Sequence, residues 1–418
     1  VVAVLLLVAP VAGVTAPGAA PQPADSAVAA DSASPADAAP SVDIAPPAGS
    51  PAAEPLSRTD PASTATLAPA DPGQTTTQID AANLTLRTLS TPIGAETRVS
   101  TYRRGPDLGS ALGFATADAD AAFETAAVVD RIERAEPGVE RQQQILAEIN
   151  RVERAEVALS SRQTNAFSAH AAGEITDREL VDELVRVAAT AREYDDRLDE
   201  IDALAESTDG FSSPGRLDEL QVALQVYEGP VRDHALATAR GQSAANNVYV
   251  ASTSGAVVLA TVVDGQYVRE VFRTDRWDRG GGDISNDAAI EITEASYPET
   301  AALREPDAFG AGAVQRITIP HELGTLRTFV SGGTEQVFVE HQRIDLAAFP
   351  DSEPVTATGD GFNVTVERTY PGGPLRIAVV DAETGNPVNT TVSITPIGSV
   401  DNRPVGRTGS DGVLWTLS

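Results

Sequence analysis

Residues 176–201 read TDRELVDELVRVAATAREYDDRLDEI. Within them Leu180, Leu184, Val187, Ala191, Tyr194, Leu198 and Ile201 recur at alternating spacings of four and three. That spacing gathers apolar side chains on one stripe of a helix and makes a heptad seam. Thr176 precedes the run with Glu179 three residues on, a capping box. Upstream, Pro137 suits the first turn of a helix running to about Ala172, with Gly173 as its stop. Ile145, Ile149, Val152, Leu159 and Phe167 give this helix a facing stripe, and the short turn at Gly173 makes the pair antiparallel. An earlier segment, 117–135, adds a third helix to the bundle. Such a hairpin serves as a rigid spacer or docking coil, or it folds only on itself. The hairpin already uses its own seam, which favours the second reading.

Downstream, residues 217–240 are again helical in pattern, broken at Gly229-Pro230. After Asn247 the period becomes two. Residues 248–250, 257–263 and 267–272 read as strands, with Asp264-Gly265 as a hairpin turn between the last two. A short helix capped by Asn286 follows over 287–295, then strands over 314–319, 326–330 and 336–340. The stretch 284–299, ISNDAAIEITEASYPE, resembles the helix of PepSY-type domains, with Glu299 where that family prefers glycine. The resemblance implies an extracytoplasmic α+β unit associated with protease propeptides and envelope regulation, without catalytic residues of its own.

In the last segment, 362–418, the turns DAETGNPV (381–388) and TGSDG (408–412) lie between strands at 375–381 and 413–417. Gly385 and Gly412 suit turn positions of positive φ. These motifs resemble the carboxypeptidase-regulatory and collagen-adhesin B-type β-sandwich, which ordinarily has more strands than residues 362–418 supply, so the sandwich reads as incomplete. The isopeptide cross-link of some relatives needs a lysine donor, and the chain has no lysine.

Formal net charge is −30, from 60 acidic and 30 basic residues, and every basic residue is arginine. Cysteine and methionine are absent. This composition resembles that of proteins from extremely halophilic archaea, in which dense carboxylates keep a surface hydrated when salt screens repulsion. An acidic protein from a GC-rich genome is the alternative. The charge argues against nucleic-acid binding, because no basic stripe exists to displace counterions from phosphates. It equally disfavours direct binding to anionic membranes. Without cysteine there are no disulfides, thiolate metal sites or catalytic thiols.

Residues 1–9, VVAVLLLVA, followed by Pro10 and small residues, read as the apolar core of a signal peptide over 1–20, cut after Ala16 or Ala20. A buried strand is the alternative. Residues 21–78 are rich in Ala, Pro, Ser and Asp and read as a disordered linker. The remaining units are a helical bundle (79–243), a PepSY-like α+β domain with an antiparallel sheet (244–348) and the β-sandwich (349–418). This order of modules resembles a group of haloarchaeal exported or surface proteins without an assigned activity. The expected fold class is thus multidomain α plus β.

Residues able to carry chemistry are few. The four histidines are His170, His234, His321 and His341. His321-Glu322 lacks the second histidine of a zinc-protease helix, but His321, His341 and Glu340 would form a two-histidine, one-carboxylate metal site if a hairpin brought them together. Asp275, Asp278, Asp283 and Asp287 surround Gly280-Gly281-Gly282, a cation loop or simply a solvated one. Neither reading outweighs its bland alternative, so no catalytic, cofactor or metal residue is assigned. Asn83, Asn363 and Asn389 head N-x-T sequons and are glycosylation candidates in an exported chain. The expected function is a non-catalytic exported or cell-surface module that binds or spaces a protein or cell-envelope partner, glycans among the possibilities. The alternatives are an envelope regulator acting through the PepSY-like unit and a metal-dependent hydrolase.

Overall fold

The computed structural model describes residues 76–81, 84–349, 353–394 and 403–418. The expected signal peptide, nearly all of the expected linker and Asn83 lie outside the described residues. The chain runs through β1 (Thr76–Ala81), β2 (Leu84–Leu89), β3 (Arg98–Arg104) and helices α1 (Leu108–Arg134), α2 (Val139–Ala171), α3 (Asp177–Glu206), α4 (Arg216–Gln225) and α5 (Pro230–Ala239). Then come strands β4 (Asn246–Thr253), β5 (Ala256–Val263) and β6 (Gln266–Arg273) and short helices α6 (Asn286–Ser296) and α7 (Pro298–Ala301). Strands β7 (Asp307–Ala311), β8 (Val314–His321), β9 (Gly324–Ser331) and β10 (Gln336–Asp345) complete the middle unit. The last six are β11 (Pro354–Gly359), β12 (Phe362–Arg368), β13 (Pro374–Asp381), β14 (Thr391–Ile394), β15 (Arg403–Arg407) and β16 (Val413–Leu417).

The helices form where capping and the heptad direct them. Thr176 and Glu179 close a reciprocal capping box at the start of α3. Leu180, Leu184, Val187, Ala191, Leu198 and Ile201 are fully buried, as are Ile145, Ile149, Val152 and Phe167 of α2. Two expected boundaries move. Helix α1 begins at Leu108, well before 117, because the Asp107 carboxylate accepts a bond from the Ser110 amide at 3.1 Å. Pro137 lies outside α2, since Gly138 interposes a left-handed turn at φ 97°.

Eight antiparallel strands form one sheet in the order β3-β4-β5-β6-β10-β9-β8-β7. The two meanders therefore join at their last strands, β6 and β10. The Asp264-Gly265 turn between β5 and β6 has φ of 49° and 76°, the hairpin geometry its sequence announces. Strand β3, absent from the expected set, pairs with β4 as an edge strand and keeps Val99 and Thr101 exposed. Its alternation is mostly polar, and the exposed Arg103 blunts the open edge. The cap of α6 is Ser285, whose hydroxyl accepts from the Ala288 amide, rather than Asn286.

Both faces of the sheet are covered. On one face Val248, Val250, Val257, Leu259, Val268, Phe272 and Phe338 share a core with the seam residues of α2 and α3. One core thus runs across residue 244. On the other, Ala260, Tyr267, Ile317, Leu326 and Ile344 pack with Leu89, with Ala289 of α6, with Tyr297 and with Tyr370 and Leu417 of the C-terminal module. That module is a sandwich of a four-stranded sheet, β11-β12-β13-β16, and a two-stranded one, β14-β15. Gly385 and Gly412 take φ of 72° and 73° in its turns.

The β12–β13 turn and β15 of the sandwich interlock with the central sheet. Tyr267 donates to the Gly372 carbonyl at 3.0 Å and meets the Tyr370 ring edge-on. Asn247 donates to the Val405 carbonyl at 2.9 Å. Gly372 has φ of 76°, and a β-carbon there would lie 2.6 Å from the Tyr249 ring, so no other residue fits.

The central strands carry charge to both faces. Arg269 and Glu270 are consecutive on β6, so alternation sends one to each side. On the far face Arg269 pairs with the fully buried Glu340, which also accepts from the Leu89 amide and, at 2.7 Å, from the Tyr297 hydroxyl. Arg269 in turn holds the Leu89 carbonyl. On the helical face Glu270 accepts from Arg232 Nε at 2.7 Å and from the Val231 amide at 3.1 Å. Arg232 also donates to Gln163 at 2.7 Å. Each buried ion is therefore met by an opposite charge and further hydrogen bonds, the condition under which such a pair is tolerated.

Two stability contrasts follow. Leu184→Ala or Leu198→Ala should each cost about 2–5 kcal/mol in urea titrations, from lost transfer energy plus the cavity left. Arg186→Ala, at an exposed arginine bonded to Glu183 at 3.1 Å, should cost below about 1 kcal/mol. Asp195 is a poor control despite lying off the seam, because it is partly buried against Gln225. For the far-face pair, Arg269→Met alone should cost about 3–5 kcal/mol by stranding Glu340, while Arg269→Met with Glu340→Leu should cost less than the single change. A double variant weaker than the single one would refute that account.

Candidate functional site

Alternation on β9 and β10 brings Thr325, Arg327, His341 and Arg343 to the sheet face that carries the helices. Register sets His341 opposite Arg327 and Arg343 opposite Thr325. The turn from α4 into α5 overhangs them through Glu228, Gly229 and Pro230, with Asp233 one turn along. These eight residues line a half-open cavity of about 120 Å³.

Local chemistry explains the overhang. Pro230 occupies the first turn of α5, where its missing amide costs nothing. Gly229 must be glycine, since a β-carbon would lie 2.0 Å from a Glu270 carboxylate oxygen. Glu270 thereby caps α5 from the strand beneath it.

The ionisable groups of the cavity differ in commitment. Asp233 pairs with Arg192 at 2.7 Å, and Glu228 lies 3.8 Å from the same guanidinium. Burial pushes the Glu228 carboxyl up to about 6, against the opposing pull of Arg192. Burial holds His341 well below the usual histidine range, and Arg327, Arg232 and Arg343 act in the same direction, so the ring is neutral near pH 7. Its edge meets the Phe329 ring, centroids 5.9 Å apart. Arg327 and Arg343 are exposed at the cavity rim, and neither forms an ion pair or hydrogen bond among the described residues.

The structure does not bring together His321, His341 and Glu340, the set weighed in the sequence as an alternative metal site and not assigned. His321 shares its parity on β8 with Ile317 and Ile319, whose side chains belong to the far layer, whereas His341 faces the helices. Strand β9 separates the two histidines. Glu340 lies on the far face and is spent on Arg269, Leu89 and Tyr297. His170 bonds Ser252 at 2.6 Å and Asp177 at 2.8 Å, tying α2 to β4 and α3, and His234 bonds Thr238 at 3.3 Å.

The aspartates around residues 280–282 do not converge either. Asp275 is held by Arg273 through two bonds of 2.7 Å, and Asp278 accepts from the Gly280 amide at 3.0 Å. Among the described residues no group of three or more His, Asp or Glu is placed to hold a metal ion. The glycines serve packing: a β-carbon on Gly281 would lie 2.3 Å from the Gly333 backbone. Of the sequon asparagines, Asn389 is exposed and accepts from Arg407, and Asn363 on β12 is partly buried and accepts from Thr358 at 2.7 Å.

Sequence reading picked out His341 but gave it the wrong neighbours, and it passed over Arg327, Arg343 and Glu228. The usable signal was period-two spacing: Thr325 with Arg327 and His341 with Arg343 lie on one face of adjacent strands. Only the pairing of β9 with β10 shows that the two faces coincide.

Carboxylates raised by burial set a pH dependence. Glu193 is pushed up to about 7 by burial and by Asp118, Asp195 to about 6 by burial, and Glu228 to about 6. The folded chain therefore holds more protons at these sites than the unfolded chain between roughly pH 4 and 7, so they erode stability as pH rises through that window. Glu193→Gln should raise the melting temperature at pH 8 and leave it nearly unchanged at pH 5, read by circular dichroism in molar potassium chloride. An equal shift at both pH values would contradict this.

Residues 353–418 match an archaeal fibronectin-III type-like domain, and residues 248–350 match a family of unknown function (DUF7094). The C-terminal sandwich is therefore matched as fibronectin-III type-like, not as the carboxypeptidase-regulatory or collagen-adhesin type that its turns resemble. No curated protein and no solved structure matches the chain. Among the described residues no helix is long and apolar enough to cross a membrane. Residues 1–244, more than half of the chain, match the domain of unknown function DUF7096, and the chain belongs to that family.

Proposed function

We propose that this chain is a non-catalytic exported or cell-surface module of a salt-loving organism, built to hold or space a protein or glycan partner in the cell envelope. The observation that carries this reading is the seating of the fibronectin-III type-like sandwich on the central sheet through Tyr267, Gly372, Asn247 and Tyr370. Such docking makes one stiff body of a sandwich and a three-layer core, as a spacer requires. The net charge of −30 and the exclusive use of arginine support a high-salt setting, and the apolar run at 1–9 supports export. Recovery of partners from envelope extracts on the immobilised chain in molar salt tests the reading. Enrichment of one surface protein or glycan would support it, and turnover of a recovered molecule would replace it with an enzymatic one.

A second reading draws on α6, which packs with β7, β8, β9 and β10 as the helix of a PepSY-type unit packs on its sheet. On that reading the chain restrains an envelope protease or assembly enzyme, and the recovered partner would be that enzyme.

The salt setting has its own check. Self-repulsion of the acidic surface should loosen the fold in dilute buffer, and molar potassium or sodium chloride should restore it. A melting temperature equal in dilute and molar salt would remove the halophilic part of the proposal.

A further inference from the structure

We infer that the cavity between β9, β10 and the start of α5 is a receptor site for a small carboxylate, held by Arg327 and Arg343. The charge balance carries the argument. The two acids on the α5 wall, Glu228 and Asp233, share the single guanidinium of Arg192, which leaves that wall one negative charge. The Glu270–Arg232 pair beneath them is internally neutral. His341 sits at the floor between the two arginine positions. Facing that wall are Arg327 and Arg343 on diagonal positions of adjacent strands, Arg327 close enough to Glu228 to favour its ionised form, so the pocket keeps a surplus of one positive charge within reach of one small ligand.

Guanidinium pairs recognise oxyanions through parallel N–H donors. Thr325 lines the same cavity and carries a hydroxyl able to donate. The half-open pocket, with an interior of about 120 Å³, admits a carboxylate head with a short substituent. The nearby Glu228 and Asp233 carboxylates penalise a second negative charge, which favours a monoanion over sulfate or phosphate. The ligand class is therefore a monocarboxylate, free or as the acid group of a sugar or peptide end. The inference deepens the binding-module reading, since it names a chemistry the module can recognise.

Equilibrium dialysis of the purified chain against radiolabelled acetate tests it, across chloride concentrations down to the lowest at which the helical signal persists. The variant is Arg327→Gln with Arg343→Gln. The control is Arg154→Gln with Arg304→Gln, which removes equal charge from two exposed arginines elsewhere. Melting temperatures of both variants verify folding. Expected are saturable binding of one acetate per chain, at least tenfold weakening in the variant, and no change in the control. The inference fails if no chloride concentration gives saturable binding, or if variant and control weaken alike. Tighter binding of labelled sulfate would overturn the monocarboxylate assignment. Dialysis uses the chain alone, so loss of this site would leave the envelope-partner reading standing, and failure to recover a partner would leave this site standing.

Discussion

The pairing of β6 with β10 is the joint on which the structure depends. Each of these strands ends one meander, and their register brings Arg269, Glu270, Glu340 and His341 to the centre of an eight-stranded sheet. Because side chains alternate, a single pair of strands serves both faces. Arg269 and Glu340 fasten the last residue of β2, Leu89, and the ring of Tyr297 to one side. Glu270 fastens the start of α5 and, through Arg232, the middle of α2 to the other. Buried pairs are shielded from the salt that weakens surface ones. The fold can therefore keep its electrostatic specificity inside whatever the salt concentration around its surface charges.

Arginine is well suited to that task. Arg104 donates at 2.8 Å to both the Ala235 carbonyl and Asp182. Arg197 reaches Thr125, Glu124 and Glu148 and stacks on Tyr194. Arg273 bridges Asp275 and the Ser90 carbonyl. Each uses several donors of one planar fork in different directions, which a lysine ammonium could not match. The complete absence of lysine, read in the sequence as a mark of composition, thus also has a structural use.

Features set by local rules were legible in the sequence: the heptad of α3, its capping box, the Asp264-Gly265 turn and the break at Gly229-Pro230. Features set by distant partners were not. Strand β3 is polar in alternation and becomes a strand only because β4 offers it an edge. The early start of α1 was masked by Gly109 and Gly113, although Asp107 and Ser110 supply the cap. The candidate site was legible only in part, because its residues come from two strands and a helix start, and nothing in the order of the chain says that β10 turns back beside β6. The metal triad failed for the same reason: parity puts His321 and His341 on opposite faces.

Leu89 is bonded through its backbone to Arg269 and Glu340, the latter 251 residues further along the chain. Synthesis thus separates the two ends of this clamp by most of the protein. Helices α2, α3 and α5 emerge with sheet-facing apolar side chains that have no cover until the strands arrive, and the sheet cannot close until β10 exists. Long-range closure of this kind slows folding. The family boundary at residue 244 is accordingly not a folding boundary: the first half of the chain is a substrate for completion by the second, and a nascent chain released before β10 would leave the helical layer without its floor.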